Sequence, residues 1–160
     1  MSDPFIPIEG LANHQGPLFG LDLGSKTIGI AVADDGWHIA SPLQTIRRTR
    51  FAADAADLIA LADRYKVTAF VVGLPFNMDG TAGPRVQSTR AFARNLAKLD
   101  PRPVVGWDER WSTVEATRTM IAADVSRAKR QESVDKIAAA LILQGALDRL
   151  RAIGLPTRDR

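Results

Sequence analysis

Cysteine is absent from the 160 residues, which excludes a disulfide scaffold, a thiolate zinc site and a cysteine nucleophile, and suits a reducing compartment. Histidine occurs twice, as His14 and His38, each isolated, so a histidine metal centre or a Ser-His-Asp triad has little support. Aromatic residues make up 6% of the chain, too few for an obvious base-stacking platform, and Trp107 and Trp111 read as core or staple side chains. No apolar run approaches the roughly 18 residues of a membrane span, and the opening MSDPFIPIEG has neither the basic nor the apolar region of a secretory signal. A soluble cytoplasmic protein is expected. Charge of one sign is scarce too: Lys+Arg 21 against Asp+Glu 18 leaves a net +3, only a weak hint of an anionic partner.

What remains is enough for one domain, because a chain of this length buries roughly two thirds of its unfolded surface. Residues 1–17, with Pro4, Pro7, Gly10, Gly16 and Pro17, show no periodicity and read as a flexible or loosely docked N-terminal arm. The folded domain is placed at 18–153, with a tail at 154–160. Apolar, β-branched stretches on either side of Gly24-Ser25-Lys26 predict two antiparallel strands between Leu18 and Ala33, and a third strand follows around His38 to Ile46. A helical stripe runs from Phe51 to Tyr65, with Asp54, Asp57 and Asp63 on its other faces. AFVVG at Ala69 to Gly73 reads as a buried parallel strand. A helix is predicted from Pro84 to Leu99, behind a favoured first-turn proline. PVVGW at Pro103 to Trp107 is another strand. Ser112 and Glu115 form a capping box for a helix from Thr113 to Ala123, and Ser133 caps a last helix from Val134 to Arg151. The order implies an α/β domain, a mixed sheet with helices on its faces, in which ligands bind outside the carboxyl ends of parallel strands.

Three acidic positions meet that rule. Asp22 interrupts the apolar strand GLDLG, where a charge is costly unless it meets a partner, a metal or solvent. It can equally bond the backbone of the turn after Gly24. Asp108 and Glu109 stand where the strand VVGW ends, either at an active-site edge or simply ahead of a helix N-terminus. Asp135 would open the last helix, as a site residue or only as a first-turn acid. Carboxylates converging on one edge can hold divalent cations that activate a water and neutralise a scissile phosphate.

Four segments together carry more information: GLDLGSKTIGIAVAD, VVGLPFNMDGTAGP, WDERWSTVEA and VDKIAAALILQGALD. In order and spacing they resemble the signature blocks of the YqgF/RuvX family, Holliday-junction-resolvase-like proteins mostly described as pre-16S rRNA nucleases, and the likeness spans Gly20 to about Leu150. The resemblance implies a ribonuclease H-like fold, a five-stranded mixed sheet with helices on both faces. It also implies Mg²⁺ or Mn²⁺ as cofactor and trimming of the 5′ end of precursor 16S ribosomal RNA. The family's acidic cluster falls on Asp22, Glu109 and Asp135, as catalytic residues and metal ligands. Asp108 would tune the site by its charge or point away, since adjacent side chains on an extended segment face opposite sides. Two departures stand out: Thr27 occupies a position where many members have arginine, and the N-terminal arm is longer than usual.

Substrate capture would rest on phosphate contacts. Arg110 is the best candidate clamp, as a bidentate guanidinium or else only a surface ion pair. Arg127, Lys129 and Arg130 fall in a basic stretch read as a loop before the last helix. Lys26 sits in the first turn, and Asn77 and Thr81 lie in the glycine-rich loop that ends at Gly83, where backbone amides and a helix N-terminus suit an anion. The partner is then nucleic acid, bound by a monomer or a homodimer.

Other readings compete. GLDLGSKT also resembles the phosphate loop of actin-like ATPases and sugar kinases, but those need a second domain that 160 residues do not hold. A resolvase acting on junction DNA would use the same carboxylates. A non-catalytic nucleic-acid-binding factor would gain little from three acids where a phosphate must dock.

Overall fold

The computed structural model describes residues 3–11, 14, 16–111 and 127–153. Five strands, β1 (Leu18–Leu23), β2 (Thr27–Ala33), β3 (Ala40–Arg47), β4 (Ala69–Leu74) and β5 (Val104–Asp108), form one sheet in the order β3-β2-β1-β4-β5. The β1–β2 pair is antiparallel around the predicted Gly24-Ser25-Lys26 turn, closed by Gly24 N–H donating to the Thr27 carbonyl at 2.9 Å. The β2–β3 pair is antiparallel as well, whereas β4 runs parallel to both β1 and β5. Every residue of β1 and β4 is buried, as expected of central strands covered on both faces. By contrast β3 is mostly exposed, and Pro42 is tolerated there because β3 is an edge.

Helices α1 (Phe51–Arg64) and α2 (Pro84–Leu99) cover one face, where Leu58, Leu61, Phe92 and Leu96 pack on Phe19, Leu21, Ile30 and Phe70. The long helix α3 (Arg127–Ala152) covers the other, with Ala139, Ile142, Leu143 and Leu147 against Leu18, Val71, Val105 and Trp107. Strand alternation assigns the faces: in β1, Phe19 and Leu21 look toward α1 and α2, while Leu18, Gly20 and Asp22 look toward α3.

Four expectations change. The last helix does not begin at Val134 behind Ser133, but runs from Arg127, so the stretch read as a basic loop is its first turns. Residues 127–132, RAKRQE, are good helix formers, and a single serine does not oblige a break. Asp135 is therefore a little over two turns inside the helix, and no dipole effect of a first turn acts on it. Asp54, expected on a polar face of α1, is buried, because its carboxylate accepts the Thr49 N–H at 3.1 Å and the Thr49 hydroxyl at 3.3 Å. In the arm read as flexible or loosely docked, the described residues are docked: Ile6 N–H donates to the Val104 carbonyl at 2.9 Å beside β5, and Leu11 is fully buried. The helix predicted at Thr113 to Ala123 lies outside the described residues. No helix among the described residues is long and apolar enough to cross a membrane.

Candidate active site

Because β1, β3, β4 and β5 share one direction, their carboxyl ends lie along a single edge of the sheet, at Asp22, Arg47, Leu74 and Asp108. Asp22 faces α3 and pairs across strands with Gly29. A Cβ at Gly29 would stand 2.1 Å from the backbone carbonyl oxygen of Asp135, so only a bare backbone lets this turn of α3 settle on β2 beside Asp22. On the other side of Asp22, Val72 pairs with Leu21, which makes Gly73 the next position along β4. A Cβ at Gly73 would meet Oε2 of Glu109 at 2.8 Å and Cδ1 of Ile142 at 2.5 Å. Gly29, Asp22 and Gly73 thus form a floor across three strands, and the Glu109 carboxylate and Asp135 come down on it from a 3₁₀ turn (Glu109–Trp111) and from α3.

All three acids are buried, at 2% exposure for Asp22, 7% for Glu109 and 8% for Asp135. Such burial is expensive for carboxylates without compensating partners. One partner of Asp135 is Thr27, whose hydroxyl donates to Oδ2. Among the described residues no three acidic or imidazole side chains form a ready-made ion cluster, so the carboxylates approach one place from three elements without being drawn together. The donor set and the surface suit a hard divalent cation: oxygen ligands only, over a cradle that a Cβ at Gly29 or Gly73 would fill.

Asp108 and Glu109 part company. Trp107 packs toward α3, so Asp108 looks to the opposite face, and its carboxylate accepts Arg110 N–H at 2.9 Å, Nε at 3.0 Å and Nη2 at 2.5 Å. The fork that was expected to grip a phosphate is thus engaged by Asp108. The hydrogen bond to Asp108 raises the Arg110 pKa further above its usual value, and the guanidinium lies 5.6 Å from the centre of the Phe76 ring. Arg110 Nη1 would also be 3.3 Å from a Cβ at Gly80, which ties this turn to the glycine-rich loop.

In that loop, Asn77 Nδ2 donates to the Thr81 hydroxyl at 2.9 Å, and the same hydroxyl donates to Asp79 at 2.7 Å. Asn77 and Thr81 therefore shape the loop through each other, around Gly80 at φ 90°. Lys26 is exposed in the β1–β2 turn, where its carbonyl accepts Arg48 N–H at 2.8 Å. Arg127, Lys129 and Arg130 lie in the first turn of α3, and their side chains lie outside the described residues. Trp107 is buried as expected, but Trp111 is not a core residue: it is 67% exposed, resting edge-on against Trp107. A cleft of about 460 Å³ lined by Gln44, Arg47, Asp57 and Arg64 lies between β3 and α1, on the far face from the carboxylates.

Two neighbours of the site escape a reading of the sequence. Thr27 registers there only as an absent arginine, and Arg48, whose Nη1 donates to the Gly24 carbonyl at 2.6 Å, lies in a basic RRTR run that looks like solvated surface. A strand hydroxyl gives no local sign of a partner in α3. The only available signal for Arg48 is its place directly after a strand.

Known proteins resemble this chain in sequence and in fold. The RuvX family, described as Holliday junction resolvase, matches residues 16–149. A provisionally named pre-16S rRNA nuclease of Beijerinckia indica is 58% identical over 147 residues, covering 92% of this chain and 89% of that protein. Another, of Rhodobacter capsulatus, is 60% identical over 139 residues and covers 87% of each. Among solved structures, Thermus thermophilus RuvC in complex with a Holliday junction substrate has a TM-score of 0.55 at 17% identity, over 87% of this chain and 97% of that one. At that identity the likeness is one of fold, the ribonuclease H-like sheet with helices on both faces. With more than half of its residues shared along nearly its whole length and the four signature blocks in place, the chain belongs to the RuvX family.

Proposed function

We propose that this protein is a metal-dependent phosphodiester hydrolase, a nuclease that trims the 5′ end of precursor 16S ribosomal RNA in the bacterial cytoplasm. The observation that supports this reading is the approach of Asp22, Glu109 and Asp135 from three elements toward the Gly29 and Gly73 floor at the carboxyl edge of the sheet. The name carried by relatives at 58% and 60% identity supplies the substrate.

Asp22, Glu109 and Asp135 would hold Mg²⁺ or Mn²⁺, which when bound supplies Lewis-acid charge at the scissile phosphate and acidity for the attacking water. The chain's own contribution is placement. Asp22 is fixed in a fully buried central strand, Asp135 in a helix seated on bare backbone, and Glu109 at the end of β5 by a turn that Arg110 and Asp108 brace. Carboxylates at this edge repel an approaching phosphate, so a cation is needed before substrate can dock.

Parallel cleavage assays on precursor ribosomal RNA and on four-way junction DNA, with Mg²⁺ or Mn²⁺, test the proposal. RNA should be cut, and Asp22→Asn and Asp135→Asn proteins with native circular dichroism should lose at least about a hundredfold in rate. Wild-type rates in those variants would overturn the site. Cleavage of the junction alone would favour the second reading, a DNA resolvase, for which the family description speaks. Binding without cleavage of either substrate would leave a non-catalytic nucleic-acid factor.

A further inference from the structure

Of the large apolar side chains exposed on the described surface, Trp111 is the one on the turn that carries Glu109. Tyr65 is a ring too, but it ends α1 at the opposite edge of the sheet, and Ile39, Met78 and Leu99 are not rings. Single exposed apolar residues are ordinary and need no purpose. Trp111 differs in how it is held and where. Its ring centre lies 5.1 Å from that of Trp107 with the planes at 84°, so one edge-to-face contact fixes its orientation and leaves it 67% exposed. Trp107 is itself pinned, since a Cβ at Gly145 of α3 would stand 2.8 Å from its ring.

The support is continuous with the site. Trp107 pairs with Gly73, over which the Glu109 carboxylate lies, and Trp107 and Glu109 occupy the same face of the sheet. The 3₁₀ turn Glu109–Trp111 rises only about 2 Å per residue, so the backbone of Trp111 stands about 4 Å along the turn from that of Glu109.

Resting on the nuclease reading above, we propose that Trp111 is a stacking platform for an unpaired nucleobase flanking the scissile phosphate, so that the site takes single-stranded nucleic acid. Every base has a π-face, so such a platform tolerates any sequence and either sugar. In a duplex those faces are already covered by neighbouring base pairs. Pre-orientation by Trp107 spares the indole the ordering cost that a free side chain meets on binding.

The test uses intrinsic fluorescence, since Trp37 and Trp107 are buried and Trp111 reports the surface. In buffer with Ca²⁺ in place of Mg²⁺ or Mn²⁺, so that substrate docks without being cut, the protein is titrated with a ten-nucleotide oligouridylate, an oligothymidylate, an abasic strand of equal length and a ten-base-pair duplex. Both base-bearing single strands should quench the emission and bind about tenfold more tightly than the abasic strand. Trp111→Leu should abolish the quench and the preference for bases while leaving duplex binding unchanged, and Trp111→Tyr should keep most of the affinity. Equal wild-type affinity for abasic and base-bearing strands overturns the proposal, whether or not Trp111→Leu folds. So does a Trp111→Leu protein of native circular dichroism that binds single strands within twofold of wild type, or that loses duplex affinity equally. If the wild type cuts RNA yet shows no base dependence, only the stacking role falls. If it neither binds nor cuts any nucleic acid, the nuclease reading falls with it.

Discussion

The hydroxyl of Thr27, the first residue of β2, donates a hydrogen bond to Oδ2 of Asp135 in α3, joining positions 108 apart in the chain. Thr27 is 1% exposed, so the carboxylate has a fixed, water-excluded donor at the point where α3 meets the sheet. The Thr27 hydroxyl thus orients the Asp135 carboxylate.

Replacing Thr27 by valine keeps the shape and removes the donor. The buried carboxylate oxygen loses this bond, at a cost of about 1–3 kcal/mol in urea unfolding. Thr27→Ser should recover most of that stability. Mn²⁺ affinity measured by calorimetry without substrate should fall in the valine protein and return in the serine protein. An unchanged affinity in Thr27→Val would reduce the contact to a structural one.

The two floor glycines should fail in different ways. A methyl at Gly29 meets the Asp135 backbone carbonyl at 2.1 Å, and backbone in a packed helix cannot turn aside. Gly29→Ala should cost about 2 kcal/mol or more in stability, by lifting α3 from β2. At Gly73 the neighbours are the ends of Glu109 and Ile142, which can rotate. Gly73→Ala should stay folded and lose activity because Glu109 is pushed off the floor. Comparing denaturation midpoints with cleavage rates separates the two effects.

Arg110 bridges the edge strand and the loop. Its side chain is 31% exposed and that of Asp108 7%, so breaking the pair costs less than a fully buried one would. Because the Nε and Nη2 fork is spent on Asp108, Arg110→Leu should lower kcat through a loosened Glu109 turn more than it raises KM. A pure rise in KM with a flatter salt dependence would instead mark Arg110 as a phosphate contact.

The loop at Asn77 to Thr81 has a pH signature. The Thr81 hydroxyl bond holds the Asp79 carboxyl below the usual carboxylate range, with the Thr81 backbone N–H next in effect. A lowered pKa in the folded state stabilises above the unfolded pKa, and that support is lost as pH falls through the folded value. The loop should therefore be fully tethered at neutral pH and loosen only in acid. In a carbon-detected NMR titration, Thr81→Ala should move the Asp79 midpoint upward; an unmoved midpoint would contradict the assignment.

The strands and helices were legible because periodicity is local. Alternation and apolar runs place β1, β2 and β4 nearly to the residue, and Gly83-Pro84 marks the start of α2. Asp22 also stands out locally, as a charge in an apolar strand. Asp135 is singled out only through the family blocks, since it does not open the helix: the helix formers of RAKRQE carry the helix back to Arg127, although their polar, basic composition and Ser133 suggest a loop and a cap.

By itself, the sequence determined the sheet-forming segments, the two-faced layering and the conspicuous charge of Asp22, because side-chain period and an out-of-place charge are properties of neighbours in the chain. Tertiary structure alone decided which acid meets which partner: Glu109 over Gly73, Asp135 against Thr27, Asp108 turned away to Arg110, and Trp111 left open on Trp107. Those pairings depend on how closely α3 can approach the sheet at Gly20 and Gly29, and close packing is set in space, between residues that no sequence window holds together.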